Sequence, residues 1–414
     1  MQDTLWVISE FIDSHWAYLL IPVTSALIGW GTNWLAIKMT FYPLEFVGIP
    51  PFLGWQGIVP SKAAKMAGKS VDMLTSKLIT IEEQFSRLSP DAIAKEMKPS
   101  LDLAARRIID DIMAEQGPVI WASTPQIIKD QIYYSAAKDL PQEVESIMQD
   151  IRENIDHLFD LKAMVIKDLT ENKKIMIDIF QECGKEEFKF IELSGLYFGF
   201  LLGLIQMVVW YFFPLWWILP LAGLIVGYVT NKAALTLIFN PIHPRRFLFW
   251  TLHGLFIKRQ KEVAEKYAEI VASRVLTSKN IFKNMIEGPM AENLILLARR
   301  HVQEAVDKSA GFARSLIQWT QGTTGYRAIK RRVAKRFLKE LPFSIQRIFK
   351  YTEEAFAMED TLRERLSSLP PDEFVDLLRP VFQEDEYKLI LLGAVLGMLA
   401  GCWQLMYLFG GSLF

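Results

Sequence analysis

Two short polar segments, Thr32-Asn33 and Thr230-Asn231, interrupt otherwise apolar stretches of this chain. An amide in hydrocarbon must find partners in the protein, because lipid tails offer none. Two readings follow. The four residues form a polar site for a lipid headgroup or small solute where two parts of the molecule meet, or they bond a neighbouring helix backbone and serve packing. Gly195, Gly199 and Gly203 with Gln206, and Gly393, Gly397 and Gly401 with Gln404, place a glycine at every fourth residue. That spacing puts each set on one helix face, where a second helix can approach closely. Depth separates possible partners. Asn33 lies five residues before Lys38, about 7–8 Å from the charged end, whereas Gln206 lies about 20 Å beyond Leu193. Asn33 is therefore expected beside Gly195 and Gly199 and not against Gln206.

A second kind of chemistry is cationic. Arg327, Lys330, Arg331, Arg332, Lys335, Arg336 and Lys339 form a basic amphipathic helix with Ile329, Val333 and Phe337 opposite. Contact with anionic lipid is one reading, and a solvated bundle face is the other. Membrane lipids and protein partners of the soluble parts fit this pattern, and no nucleic acid is expected. Pro43–Lys62 and Pro241–Lys261 are rich in Pro, Gly, Trp and Phe and end in basic residues. They read as segments lying at headgroup level, either capturing lipid or forming a structured elbow.

Signals for catalysis are weak. The histidines are His15, His157, His243, His253 and His301, and no HExxH pair occurs among them. Cys183 and Cys402 cannot make a zinc cluster, and neither a Walker-type phosphate loop nor GxSxG is present. No metal and no cofactor are expected.

These residues need elements to hold them, and the apolar runs supply four. Leu193–Phe213, Leu215–Phe239 and Lys388–Phe409 each reach the roughly 20 residues that cross a bilayer. Trp16–Phe41 is apolar to Ile28 and then picks up Thr32, Asn33 and Lys38, and it counts as a span because the repeat described below makes it the counterpart of Leu215–Phe239. Trp210, Tyr211, Trp216 and Trp217 surround Pro214, as an aromatic belt at a tight turn would. The N-terminus, this turn and Gly410–Phe414 carry no Lys or Arg. The opposite ends carry Lys38, Lys62, Lys65, Lys185, Lys189, Lys232, Arg245, Arg246, Lys258, Arg259 and Lys388. The bias of basic residues toward the cytoplasm then puts the soluble parts inside and both termini outside. With Asp3, Glu10 and Asp13 ahead of the first run, a cleaved secretory leader is not expected.

The chain also repeats itself. Gly29-Trp30-Gly31-Thr32-Asn33-Trp34-Leu35-Ala36 is answered by Gly227-Tyr228-Val229-Thr230-Asn231-Lys232-Ala233-Ala234, an offset of 198 shared by Pro22 and Pro220, Phe41 and Phe239, and Pro43 and Pro241. The glycine–glutamine tails return to the same offset, and Lys138-Asp139-Leu140-Pro141 resembles Lys339-Glu340-Leu341-Pro342 between them. Residues 1–213 and 215–414 thus read as two copies, with spans about 16–41 and 193–213 around a soluble part 44–190, and spans about 215–239 and 388–409 around 242–387. An even number of spans per copy predicts a parallel repeat about an axis along the membrane normal.

Composition agrees with a mixed chain. At 51% hydrophobic and 22% charged, with a mean hydropathy of +0.17, it is too apolar for an ordinary soluble enzyme and too charged for a compact transporter. Lys and Arg total 46 against 47 Asp and Glu, so no global charge points to a polyanion. Two cysteines leave a reducing compartment compatible. The soluble parts read as helical. Thr80 with Glu83 makes a capping box, Ser89-Pro90 and Thr124-Pro125 set a cap before a helix-starting proline, and Ile147, Ile151, Ile155, Leu158 and Phe159 keep helical spacing. No strand pair is signalled. The expected class is all-α, an integral membrane protein of four transmembrane helices carrying two helical cytoplasmic domains, each a compact bundle or an elongated hairpin.

At the two Gly-x-x-Thr-Asn-x-x-Ala-x(4)-Phe-x-Pro segments and the Gly-x-x-x-Gly-x-x-Gln tails, the sequence resembles the bacterial membrane proteins grouped as domain-of-unknown-function family 445. The resemblance covers nearly the whole chain. It implies the bacterial cytoplasmic (inner) membrane, multi-pass insertion and helical soluble parts, and it brings no catalytic residues. Three functions remain in view. A membrane-anchored scaffold or interaction protein leads, since no acidic side chain sits at mid-membrane as in a coupled transporter. A lipid- or solute-handling protein using Thr32, Asn33, Thr230 and Asn231 follows, and an enzyme with an unrecognised site trails both.

Overall fold

Without water, an apolar run satisfies its backbone by becoming a helix, and the computed structural model of the chain is built almost wholly of helices. In chain order the main elements are α1 (Gln2–Phe41), strands β1 (Val47–Ile49) and β2 (Leu53–Trp55), α2 (Pro90–Gln116), α3 (Pro118–Ser123), α4 (Gln126–Lys138), α5 (Leu140–Glu153), α6 (Lys185–Phe212), α7 (Ile218–Phe239), strands β3 (Arg245–Phe247) and β4 (Trp250–Leu252), α8 (Ala291–Ile345) and α9 (Glu386–Phe409). The structure describes residues 2–49, 53–247, 250–252, 254–376 and 386–409; His253 and the tail 410–414 lie outside them. Among the described residues four helices are long and apolar enough to cross a membrane: Tyr18–Phe41 within α1, Lys185–Phe212, Ile218–Ile238 and Tyr387–Tyr407.

The chain folds as two units, Met1–Ser70, Leu169–Tyr267 and Arg363–Phe414 forming the first, Val71–Asp168 and Ala268–Leu362 the second. Each draws on both halves of the sequence. In the first unit α1 packs antiparallel on α6 and α7 on α9, and the ring closes through α6 against α7 and α1 against α9. Glycines make the two pairings possible. A Cβ on Gly29 would lie 2.3 Å from the carbonyl oxygen of Gly195, and one on Gly227 would lie 2.1 Å from that of Gly393. Only glycine permits backbones this close. At the turn between α6 and α7, Tyr211, Trp216 and Trp217 are exposed. Trp210 departs from the expected aromatic belt, because it is buried in a cluster with Ile21, Ile218 and Leu219.

The elbows after α1 and α7 hold what the sequence did not signal. β1 pairs with β2 in register Val47↔Trp55, and β3 with β4 in register Arg245↔Leu252. Strands of three residues are too short to show an alternating pattern. The Tyr42–Pro43 and Asn240–Pro241 peptide bonds are cis. Pro43 O accepts from Gly57 N at 3.0 Å, and Pro241 O accepts from Gly254 N at 3.0 Å. In the first elbow Trp55 Nε1 also donates to Met39 O at 3.1 Å.

The second unit is built on α2, α5 and α8. Ser89 caps α2, its hydroxyl accepting from Ala92 N. Thr124 does not cap α4, since its hydroxyl donates back to Ile120 O in α3 and the helix opens after Pro125. Thr80 stands before helix Ile81–Ser86 without a side-chain cap bond. The helical spacing from Ile147 to Phe159 is split at Asn154, whose side chain donates to Asp150 O and ends α5. α8 is helical for 55 residues but is not one rod. Tyr326 Oη donates to Asp307 at 2.8 Å, whereas 19 residues of straight helix would separate them by about 28 Å. The chain therefore doubles back between them, and both arms of α8 reach the same core.

Candidate functional site

In the first unit Asn33 is fully buried and Asn231 nearly so. Asn33 Nδ2 donates to Ile191 O at 2.7 Å, and Asn231 Nδ2 donates to Leu389 O at 3.0 Å. A helix carbonyl is normally shielded by the side chain four residues on; here that residue is Gly195 or Gly393, so the oxygen is open to a sideways amide. A Cβ on Gly393 would sit 2.0 Å from Asn231 Nδ2. Thr32 and Thr230 turn inward on their own helices, donating to Gly29 O and Gly227 O. Both asparagines line one cavity of about 20 Å³ shared with Thr40, Ile191, Leu235 and Leu389. It has room for about one water. Asn33 Oδ1 has no partner there.

The glutamines form a separate level. Ser25 Oγ donates to Gln206 Oε1 at 3.0 Å, Gln206 Nε2 donates to Gln404 Oε1 at 3.3 Å, and Gln404 Nε2 donates to Thr24 Oγ1 at 2.7 Å. Thr24 in turn donates to Leu20 O at 2.8 Å. This run of bonds leaves α1, crosses α6 and α9 and returns to α1. Near the charged end of α6, Arg259 Nη1 lies 2.9 Å from both carboxylate oxygens of buried Glu187, a charge-assisted contact that compensates the buried acid. Cys183 is buried, which pushes its thiol up to about 12 and disfavours the thiolate.

The basic residues divide by position on α8. Lys330 pairs with Asp307, Arg336 with Asp111 and Glu115, and Arg332 with Glu115. Arg327, Arg331, Lys335 and Lys339 are exposed and, among the described residues, make no ion pair. They are four residues apart and form one cationic stripe. Ile329, Val333 and Phe337 point the other way, into the interior.

That interior encloses a large space. A cavity of about 1060 Å³ lies among α2, α3, α4, α5 and both arms of α8, walled almost entirely by Ile, Leu, Val, Ala, Met and Phe side chains. Trp121 and Tyr133 close around Asp110, which accepts a bond from each and pins α3 and α4 to α2. Two buried polar residues interrupt the apolar wall, Glu143 at 6% exposure and His301 at 5%. His301 Nε2 lies 2.9 Å from Asp150 Oδ2, while Nδ1 has no hydrogen-bond partner and stands 3.9 Å from Glu143 Oε2. Lys308 also pairs with Glu143 at 2.6 Å, and Arg300 with Asp150 at 2.8 Å.

Neither His301 nor Glu143 was singled out as a site in the sequence. A signal existed, because Leu294, Ala298, His301 and Ala305 keep helical core spacing and all four are buried. A histidine at a core position was the clue. Of the other histidines, His15 lies on α1, His157 offers its carbonyl to Asn293, and His243 faces Asp372 at 3.7 Å on the surface. Among the described residues no group of His, Cys, Asp and Glu is placed to hold a metal.

Comparison with known proteins finds membrane proteins of bacteria. The chain is 29% identical over 108 residues to a UPF0754 membrane protein of Microcystis aeruginosa, covering 26% of this chain and 22% of that one. It is 23% identical over 172 residues to a UPF0754 membrane protein of Bacillus cytotoxicus, covering 40% and 45%. It is 30% identical over 76 residues to one of Staphylococcus epidermidis, covering 18% and 20%. The matched segments thus span less than half the length of these relatives. No family model and no solved structure matches. With its four apolar helices, the chain is a helical membrane protein similar to these bacterial ones.

Proposed function

We propose that the chain is a membrane-anchored lipid-handling protein, in which the four apolar helices anchor and the second unit binds. The cavity of about 1060 Å³ carries this reading, since ligand sites are concave, mostly apolar and marked by a few polar groups. On the anchor a groove of about 410 Å³ runs along Val23, Leu27, Tyr197 and Phe200, without a buried polar group in its wall. The anchor's asparagines enclose about 20 Å³, too little for a headgroup, so Thr32, Asn33, Thr230 and Asn231 are read as helix packing.

The same reading takes residues 1–213 and 215–414 as two copies standing the same way up in a bacterial inner membrane, soluble parts in the cytoplasm and both termini outside. Its support is the recurrence of bonds at matching positions, Asn33 to Ile191 with Asn231 to Leu389, and Gly57 to Pro43 with Gly254 to Pro241. Exposed Phe46, Val47 and Ile49 in the first elbow suit headgroup level. The stripe from Arg327 to Lys339 suits an anionic surface.

Photo-crosslinking tests the cavity. A lipid with a photoreactive group on its chain is supplied to the full protein in native-membrane discs, and labelled peptides are mapped. Labels on residues 101–147 and 329–337 are expected. Labels confined to the four apolar helices would overturn the reading. A scaffold is the second reading, favoured by Val119, Ile120 and Ile127, which are 76%, 71% and 83% exposed beside the cavity. It predicts that the same surface is covered by a protein partner and takes up no lipid.

A further inference from the structure

We infer that the basic arm of α8 docks on an anionic phospholipid surface, with Phe343 as its apolar wedge. This contact lies outside the cavity and stands whether or not the cavity holds lipid. Arg327, Arg331, Lys335 and Lys339 are exposed and, among the described residues, free of ion pairs. They run along about 18 Å of helix, long enough to meet several headgroups at once. The other cations of the arm, Lys330, Arg332 and Arg336, face Asp307, Asp111 and Glu115. The arm thus sorts its charges into a paired set toward the protein and an unpaired set toward solvent.

Packing does not account for the unpaired set. In the register that sets Lys138-Asp139-Leu140-Pro141 against Lys339-Glu340-Leu341-Pro342, α4 is the counterpart of this arm. Ile128 and Ile132 then match Ile329 and Val333, and all four line the same cavity. At the stripe positions α4 carries Gln126, Asp130, Tyr134 and Lys138, whose formal charges cancel. A helix can fill this place in the core without the stripe. Charge complementarity selects an anionic surface for it, and Phe343 selects a bilayer. Phe343 lies one turn beyond Lys339 and is 68% exposed, and an aromatic beside basic residues is the pattern of helices lying at headgroup level. Four apolar helices on the same chain keep such a surface within reach. A polynucleotide would meet the same charges, but 46 basic against 47 acidic residues leave the chain no wider surplus to draw it.

The test places a photoreactive benzoylphenylalanine at position 343 of the full chain. The protein is reconstituted in discs of neutral phosphatidylcholine, with or without anionic phosphatidylglycerol, and lipid adducts are read by mass spectrometry. Adducts are expected in the anionic discs, with at least about tenfold fewer in the neutral ones, since each cation near such a surface is worth about fivefold. They should fall again at about 1 M salt, where the screening length is about 3 Å. Arg331→Gln with Lys335→Gln should weaken docking about 25-fold, two charges at about fivefold each. The same probe at Tyr134, on the counterpart helix, should show no dependence on lipid charge. Equal labelling at 343 in neutral and anionic discs, or none in either, would overturn the proposal. An added oligonucleotide crosslinked at 343 in preference to lipid would overturn it in favour of nucleic acid. The comparison of discs decides the matter even if the double substitution does not fold.

Discussion

The two helix pairs of the first unit share one contact and differ in the next. In α1 with α6 and in α7 with α9, an asparagine amide reaches a carbonyl left open by a glycine. One level deeper the pairs part. Ser25 in α1 bonds Gln206 of its own partner helix, but the corresponding position in α7 is Gly223. Gln404 therefore finds no hydroxyl in its own pair and bonds Thr24 and Gln206 in the other. Gly223 in exchange lets α7 meet α9 backbone to backbone, its Cβ position 2.2 Å from Gly397 O. A single serine–glycine difference thus converts a bond within a pair into a bond between pairs. What is common to both is helix packing, and what differs joins them.

The largest effect should come where glycine faces glycine. Gly227→Val should destabilise the protein by about 3 kcal/mol, at the upper end of what overpacking does, and Gly199→Val, which meets Ser25, by about 1–2 kcal/mol. Gly31→Ala, with nothing within 4 Å of its Cβ, should cost nothing and stabilise by up to about 1 kcal/mol through helix propensity. Thermal unfolding in mild detergent checks all three, and equal losses at positions 199 and 227 would break the contrast.

Next come the asparagines. Asn231→Ala should lose about 1 kcal/mol, typical of a polar contact between membrane helices. Asn33→Ala should lose less, because it also removes the unpartnered Oδ1. The reverse order would show that Oδ1 is satisfied in solution. Smaller still is the link between pairs: a double-mutant cycle of Gln206→Leu and Gln404→Leu should give a coupling of about 0.6 kcal/mol, and zero coupling would return the pairs to independence.

The smallest expected effect is a control on the second unit. Burial and then the Asp110 carboxylate push Tyr133 up to about 12, against about 10 for a free tyrosine. Its contribution to stability is full below about pH 10 and is lost as pH rises through about 12. Mutations in the helix pairs should leave this late ionisation, read by phenolate absorbance against Tyr133→Phe, where it is.

Much of the first unit was legible. Runs near 20 residues announce helices by length alone, and the glycine spacing fixes a face without knowledge of its partner. The short hairpins of the elbows were not legible, because three residues carry no periodicity. Nor was the reversal within α8, where helical pattern continues through the bend. The cavity was hardest to foresee. Ile108, Val144 and Val333 look like ordinary core residues, and only their arrangement leaves space between them. Depth arithmetic did separate Asn33 from Gln206, but it gave no hint that Gln206 would meet its own counterpart.

The circuit through Thr24, Ser25, Gln206 and Gln404 starts and ends on adjacent residues of one helix. Mechanically it is a shear pin. Sliding α9 by one turn, about 5.4 Å, would break its two bonds together and strand two amides in a dry interior. Piston-like motion of α9 past α1 is therefore opposed at this depth. A force that reaches the helices from their charged ends meets this resistance beyond the level where Gly195 and Gly393 face their asparagines.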